Sequence, residues 1–163
     1  MKKTTIHHDT ASDNEYDIAH LERHVVEYIQ KATQTAPERR YRVRVSYSDH
    51  CYTKATPAAD RVFDEKRYEL SKQLPQIISE LMNRECHHTG RTNFVTFDID
   101  ESQTYEIYFE VFKKEGLNLR VQSAYIRDQA RMGSRPGRAK IRFSTILYNV
   151  LNDKPIHPPR QKR

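Results

Sequence analysis

The sequence lacks several features that would define its class at once. Its 163 residues contain no tryptophan, four glycines and two cysteines, and no apolar run approaches the roughly 18 residues of a membrane-spanning helix. Two cysteines are too few for a disulfide framework. The polar residues after the two N-terminal lysines do not resemble the apolar core of a secretory signal. We therefore expect a cytoplasmic protein without a membrane segment.

Apolar residues are scarce but sufficient for one core. They make up 36% of the chain, and the mean hydropathy is −0.92. Ten tyrosines and six phenylalanines exclude wholesale disorder, because disordered chains lack this aromatic content. A chain of this length usually forms one domain. We expect that domain at 15–151, between a flexible tail at 1–14 and a basic extended tail at 152–163.

The basic charge is concentrated near the C-terminus. Residues 120–163 contain 11 Lys and Arg against two acidic residues, whereas residues 1–119 contain 17 against 20. An asymmetric positive field of this kind attracts polyanions, and nucleic acid is the commonest of them. The alternative is a charged surface that only keeps the protein in solution.

Hydrophobic periodicity predicts an α+β fold. Alternation of apolar and polar residues indicates strands, and spacing of three to four residues indicates helices. The first predicted strand has a basic face formed by Arg42 and Arg44. We expect a four-stranded, mainly antiparallel sheet packed on a helical hairpin that is divided at Pro75, with an extra N-terminal helix and a C-terminal helix. The predicted strands are 41–47, 94–99, 104–112 and 117–126, and the predicted helices are 15–32, 64–83 and 140–151.

Two histidine–cysteine groups are candidate metal ligands. His50 precedes Cys51, and Cys86 precedes His87 and His88. Thiolate and imidazole are zinc ligands, but the spacing matches no zinc signature, and no phosphate-binding glycine motif is present. We expect no metal and no other cofactor, with a zinc site at these cysteines as the open alternative.

His50 is a candidate for acid–base chemistry. It follows the first predicted strand directly, and catalytic side chains are often held at such element edges. An imidazole can transfer protons near neutral pH. The alternative is an ordinary exposed histidine.

The last predicted strand ends in a polar group. Strict alternation places Leu119, Val121, Ser123 and Tyr125 on one face, with Arg127 next along it. An arginine can hold a phosphodiester, and a tyrosine can transfer a proton or stack on a base. The alternative is that Tyr125 closes the core and leaves its hydroxyl in water.

The order of predicted elements resembles RelE-type toxins and the wider barnase–EndoU–colicin–RelE class of small ribonucleases. The segment from Arg120 to Tyr125 (Arg-Val-Gln-Ser-Ala-Tyr) is similar to the R-h-h-S-A-R strand of BrnT-like toxins. The resemblance implies metal-independent RNA cleavage through attack by the 2′-hydroxyl of the RNA. It also implies an acidic, antitoxin-like protein partner.

These observations predict a small basic protein that acts on RNA as a metal-independent, toxin-like endoribonuclease. In this hypothesis His50 or Tyr125 is the general acid or base, beside Ser123, while Arg67 and Arg127 hold the phosphate. The alternative is a non-catalytic regulatory module that binds nucleic acid or protein through the same basic face. The predicted nucleic-acid contacts are Arg120, Arg131, Arg135, Arg138 and Arg142.

Overall fold

The computed structural model describes residues 5–10, 12–128 and 139–157. Within them the chain forms eleven strands and three α-helices, joined by short 3₁₀ turns. The helices are α1 (Glu65–Ser71), α2 (Leu74–Ser79) and α3 (Phe143–Leu151). The strands are β1 (Ile6–Asp9), β2 (Asn14–Asp17), β3 (His24–Gln30), β4 (Arg39–Tyr47), β5 (Thr53–Ala55), β6 (Arg61–Phe63), β7 (Glu85–His88), β8 (Asn93–Asp98), β9 (Gln103–Lys113), β10 (Leu117–Asp128) and β11 (Ala139–Arg142).

Seven of the described strands form one mixed sheet in the order β11-β7-β8-β9-β10-β4-β3. Neighbouring strands are antiparallel, except that β10 and β4 are parallel. The pairs β1–β2 and β5–β6 form two separate hairpins. Successive side chains of each strand alternate between two faces. We call the face that carries the apolar core the core face and the opposite one the outer face.

Helices α2 and α3 supply the apolar side chains that pack against the core face. Phe143 meets Tyr28 of β3 edge-on, with ring centroids 4.8 Å apart, and also meets Phe109 of β9 at 6.0 Å. Tyr28 is 2% exposed, and its hydroxyl donates a 2.6 Å hydrogen bond to the carbonyl oxygen of Ile78. That bond ties α2 to the first strand of the large sheet.

The predicted fold class is wrong. The structure has a seven-stranded mixed sheet instead of a four-stranded sheet on a helical hairpin. The two helices α1 and α2 are short, with Pro75 in the first turn of α2. Strand β7, in a segment predicted as a loop, pairs with both β8 and β11, and β1 is a strand within the predicted N-terminal tail.

The predicted N-terminal helix is replaced by β2, a 3₁₀ turn and β3. The apolar residues Val25 and Ile29 match helical spacing, but both are exposed on the outer face of β3. Between them Tyr28 is buried on the core face. The segment from His24 to Gln30 is rich in β-branched and aromatic residues, which favour a strand, and pairing with β4 fixes it. Among the described residues, no helix has the length and apolar character needed to cross a membrane.

Candidate functional site

A β-bulge in β10 decides where the predicted site lies. The register between β9 and β10 shifts between Val121 and Ser123, so side chains after the bulge change face. Leu119 and Val121 are buried in the core, whereas Ser123, Tyr125 and Arg127 lie on the outer face. The prediction that all these side chains share one face is therefore wrong.

The outer face of β9 and β10 carries a buried carboxylate. Glu106 is 1% exposed and lies opposite Tyr125. Its Oε2 accepts a 2.8 Å hydrogen bond from the Tyr108 hydroxyl, and its Oε1 is 3.6 Å from Nη1 of Arg127. Burial of a carboxylate requires such partners. We call Glu106, Tyr108, Tyr125 and Arg127 the Glu106 cluster.

The two tyrosines of the Glu106 cluster are stacked. The rings of Tyr108 and Tyr125 are 5.8 Å apart and 15° from parallel. Burial raises the pKa of Tyr108 above its usual range, and hydrogen bonds to Glu106 and to the Tyr125 hydroxyl raise it further. Tyr108 therefore keeps its proton at physiological pH and acts as a donor to Glu106, not as a base.

The cluster continues into a row of rings across the outer face. His87 of β7 stacks on Phe94 of β8 at 5.0 Å, and Phe94 meets Tyr108 at 5.4 Å. At the other end, the guanidinium of Arg67 lies 5.4 Å from the centre of the Tyr125 ring. His87 and Phe94 are buried, while Tyr108 and Tyr125 are half-buried. The tyrosine end of the row is thus its accessible end.

Arg67 belongs to α1 and connects this helix to the loop after β4. Its Nη1 donates to the carbonyl oxygens of Thr53, at 2.8 Å, and His50, at 3.3 Å. Burial lowers the pKa of the Arg67 guanidinium. The structure therefore brings Arg67 to Tyr125, as the predicted site requires, but with Nη1 bonded to backbone carbonyls.

The His50 imidazole contacts Asp49. His50 lies in the 3₁₀ turn Asp49–Cys51, where its backbone N–H donates to the Ser48 hydroxyl. Its side chain is exposed, and its Nε2 is 3.8 Å from Oδ1 of Asp49. Among the described residues, no contact joins the His50 ring to the Glu106 cluster. His50 is connected to Tyr125 through its backbone carbonyl, which accepts a hydrogen bond from Arg67.

The predicted nucleic-acid contacts are dispersed. Arg120 lies on the outer face between Glu110 of β9 and Ser46 of β4. Arg142 ends β11, four strands away, which corresponds to roughly 19 Å at the usual strand spacing. There it lines a pocket with Lys140 and Arg84. The remaining predicted contacts, Arg131, Arg135 and Arg138, lie outside the described residues.

Exposed arginines of β4 lie next to Arg120. Arg40, Arg42 and Arg44 alternate along the outer face of β4, and the parallel register places Arg120 opposite Ser46. The alternation itself is visible in the sequence. Its combination with Arg120 is not, because residues more than 70 positions apart meet only through the β4–β10 pairing.

Sequence reasoning also missed Glu106 and Tyr108. Both residues occupy polar positions of an alternating strand. The sequence shows only the alternation, which puts Thr104, Glu106 and Tyr108 on one face and Tyr105, Ile107 and Phe109 on the other. This pattern usually marks a solvent-facing side. Burial of Glu106 on that side is a tertiary feature.

Both cysteines are buried in the core. Burial raises the pKa of each thiol to about 12. Cys86 points to the core face and its neighbour His87 to the outer face, so these two side chains diverge. Within the described ranges, no group of three or more His, Cys, Asp and Glu residues is arranged to hold a metal ion.

Comparison with known proteins assigns this chain to a family. The family model described as the YjaZ family matches residues 6–151. The chain belongs to the YjaZ family. It is similar to Protein YjaZ of Escherichia coli (strain K12), with 28% identity over 164 residues that cover 88% of each chain. No solved structure matches.

The YjaZ assignment overturns the resemblance to RelE-type and related ribonuclease toxins. That resemblance depended on an order of elements that the structure does not have and on one short segment, from Arg120 to Tyr125. The acidic, antitoxin-like partner that it implied is left without that support.

Proposed function

We propose that this YjaZ-family protein binds RNA on the outer face formed by β3, β4 and β10. The observation that carries the proposal is the basic surface of Arg40, Arg42, Arg44 and Arg120. The three arginines of β4 alternate at intervals of about 6.8 Å. Evenly spaced cations suit the regularly repeated phosphates of an extended strand.

Two of these arginines form no direct ion pair with a described residue. Arg40 is paired with Glu27 and Glu38. By contrast, no ion pair or hydrogen bond joins the guanidinium groups of Arg42 and Arg120 to another described residue. The register places Glu27 opposite Arg42 and Glu110 opposite Arg120. Neither glutamate forms an ion pair with that arginine, so phosphate binding there breaks no ion pair. Arg42 and Arg120 are therefore the residues that we expect to contact phosphate.

Apolar side chains lie beside these charges. Val25 and Ile29 of β3 and Phe112 of β9 are among the large exposed apolar residues. Single-stranded nucleic acids bind through backbone contacts to cations combined with contacts of their bases to apolar and aromatic groups. The combination favours single-stranded RNA over a regular duplex, whose bases are already stacked.

Salt dependence of RNA binding tests the proposal. The double variant Arg42→Gln/Arg120→Gln should weaken binding of a labelled single-stranded oligoribonucleotide and should reduce the slope of log K against log salt by roughly 1.4, since each phosphate contact on a single strand contributes about 0.7. The matched control is Arg91→Gln, an exposed arginine in the turn between β7 and β8. Equal slopes for the double variant and wild type would refute binding through this surface.

RNA cleavage at the Glu106 cluster is the second candidate function. The favouring observation is that the Arg67 guanidinium lies 5.4 Å from the centre of the Tyr125 ring, while Arg127 lies 3.6 Å from Glu106, the residue opposite Tyr125. Cations beside a proton-transferring hydroxyl suit stabilisation of a phosphorane. Purified protein incubated with RNA, with and without EDTA, tests it. Cleavage that survives EDTA and is lost in Tyr125→Phe supports a metal-independent ribonuclease, and RNA that stays intact contradicts it.

A further inference from the structure

A concave feature on the outer face is separate from the Glu106 cluster. It is a pocket of about 440 Å³ beside the turn that connects β9 and β10 and the start of β3. This volume lies in the range of small-molecule sites, roughly 300–1,000 Å³. The side chains that matter here are those of Arg23, Arg44, Phe112, Lys114 and Asn118.

Four strands contribute the floor of this pocket. The register places Asn118 of β10 between Phe112 of β9 and Arg44 of β4, and Arg44 is opposite Val25 of β3. These four side chains therefore form one row that crosses the outer face. Two members of the row are exposed apolar groups, since Phe112 is 37% and Val25 is 46% exposed.

The wall of the pocket is a turn that is fastened to the sheet. Nη2 of Arg44 donates to the carbonyl oxygens of Lys114, at 2.7 Å, and of Glu115. Nδ2 of Asn118 donates to the carbonyl oxygens of Lys114, at 2.9 Å, and of Gly116, at 3.1 Å. Gly116 has a φ of +105°, which a glycine adopts without strain. A wall held in this way is preorganised and loses little entropy when a ligand binds.

The lining is cationic. Arg44 bonds to neutral carbonyl groups, and in the described part of the chain no carboxylate forms an ion pair with it. Arg23 and Lys114 add two further cations, and Glu115 is the acidic member of the lining. The pocket thus offers positive charge at its wall and rim and an exposed aromatic ring on its floor. A ligand that matches both is an anion with a flat, largely apolar ring system.

We propose that this pocket binds a nucleoside monophosphate unit, with the base against Phe112 and the phosphate between Arg23, Lys114 and Arg44. Asn118 and Ser46 supply polar groups for the sugar or the base edge. The inference rests on the proposed function in taking RNA as the source of the nucleotide. A free nucleotide has the same chemistry and is the other source.

Titration with defined probes tests the pocket. Isothermal titration calorimetry with 5′-AMP should show one saturable site on the full chain, and adenosine and inorganic phosphate should each bind more weakly. Arg23→Met/Lys114→Met should weaken AMP binding about ten-fold or more by removing charge-assisted contacts. Phe112→Leu should weaken it about five-fold or more by removing the stacking surface while keeping an apolar side chain. Arg91→Met is the matched control and should bind AMP like wild type.

A parallel titration with an adenosine hexaribonucleotide identifies the source. Loss of hexamer affinity in the Arg23→Met/Lys114→Met variant, together with loss of AMP affinity, supports RNA as the source. Unchanged hexamer affinity with weakened AMP binding supports a free nucleotide. Absence of saturable AMP binding, or equal AMP affinity in the pocket variants and Arg91→Met, overturns the proposal. The proposed function survives that result if hexamer binding still depends on Arg42 and Arg120.

Discussion

Substitutions at Tyr125 can separate a chemical role of its hydroxyl from a structural role of its ring. Its ring stacks on Tyr108, and the Arg67 guanidinium lies 5.4 Å from the centre of the same ring. Tyr125→Phe keeps the ring and removes the hydroxyl alone. Tyr125→Ala removes the hydroxyl, the stacking and the cation–π contact together. The difference between the two variants therefore isolates the ring.

The expected stability changes follow from these contacts. The aromatic pair contributes about 1 kcal/mol and the partly exposed cation–π contact about 0.5–1 kcal/mol. Tyr125→Phe keeps both contacts and should change the free energy of unfolding by no more than about 0.5 kcal/mol, whereas Tyr125→Ala should lower it by about 2 kcal/mol. For a domain of this size, each kcal/mol corresponds to a Tm change of about 2–4 °C.

Urea and thermal unfolding measure these changes, and an RNA cleavage assay on the same samples measures the chemistry. If Tyr125 is a general acid or base, Tyr125→Phe should lose cleavage by a factor of about 10²–10⁴ with only the small stability change. If the ring is structural, Tyr125→Phe should leave any RNA activity close to wild type. A Tyr125→Ala variant as stable as wild type would refute the assigned contacts.

Three further results are expected from the described contacts. Tyr28→Phe should lower the free energy of unfolding by about 1–3 kcal/mol in urea titrations, because the buried carbonyl of Ile78 loses its 2.6 Å donor. Tyr148→Phe is the control, and equal urea midpoints for the two variants would contradict the Tyr28–Ile78 hydrogen bond. Burial, and to a lesser extent the positive charge of Lys72, lowers the pKa of His20 below 6.5 in the folded protein, so folding favours the neutral ring. This stabilisation is fully present above pH 6.5 and is lost as the pH falls through the folded-state pKa. Stability measured against pH should be flatter in His20→Gln over that window, and parallel profiles would exclude the effect. Cys51 and Cys86, buried with pKa values near 12, should react with a thiol reagent only as fast as the protein unfolds, and rapid labelling under native conditions would show that they are exposed.

Local sequence patterns predicted several elements close to where the structure has them. The alternating segments at 94–99, 104–112 and 117–126 coincide with most of β8, β9 and β10, and the helical spacing after 140 coincides with α3. These elements are determined locally, since their apolar period matches the geometry of a strand or a helix. The basic alternation of Arg42 and Arg44 on β4 is local in the same sense.

Other elements depend on partners that are distant in sequence. Helical spacing and strand alternation both fit the segment that contains Val25, Tyr28 and Ile29, and pairing with β4 together with burial of Tyr28 selects the strand. Strand β7 is four residues long and has no clear period, so pairing on both sides defines it. Local propensity is weak compared with such tertiary contacts.

The sequence by itself determined the composition of the outer face, with its tyrosines and arginines, but tertiary structure decided which of them meet. One extra residue in β10 moves Ser123, Tyr125 and Arg127 to the face opposite Leu119 and Val121, because side chains alternate with a period of two and a bulge inverts their order. The parallel β4–β10 pairing then places Arg120 beside the arginines of β4, and the β9–β10 register places Tyr125 over Glu106. These juxtapositions depend on strand register between distant segments, which no local pattern specifies.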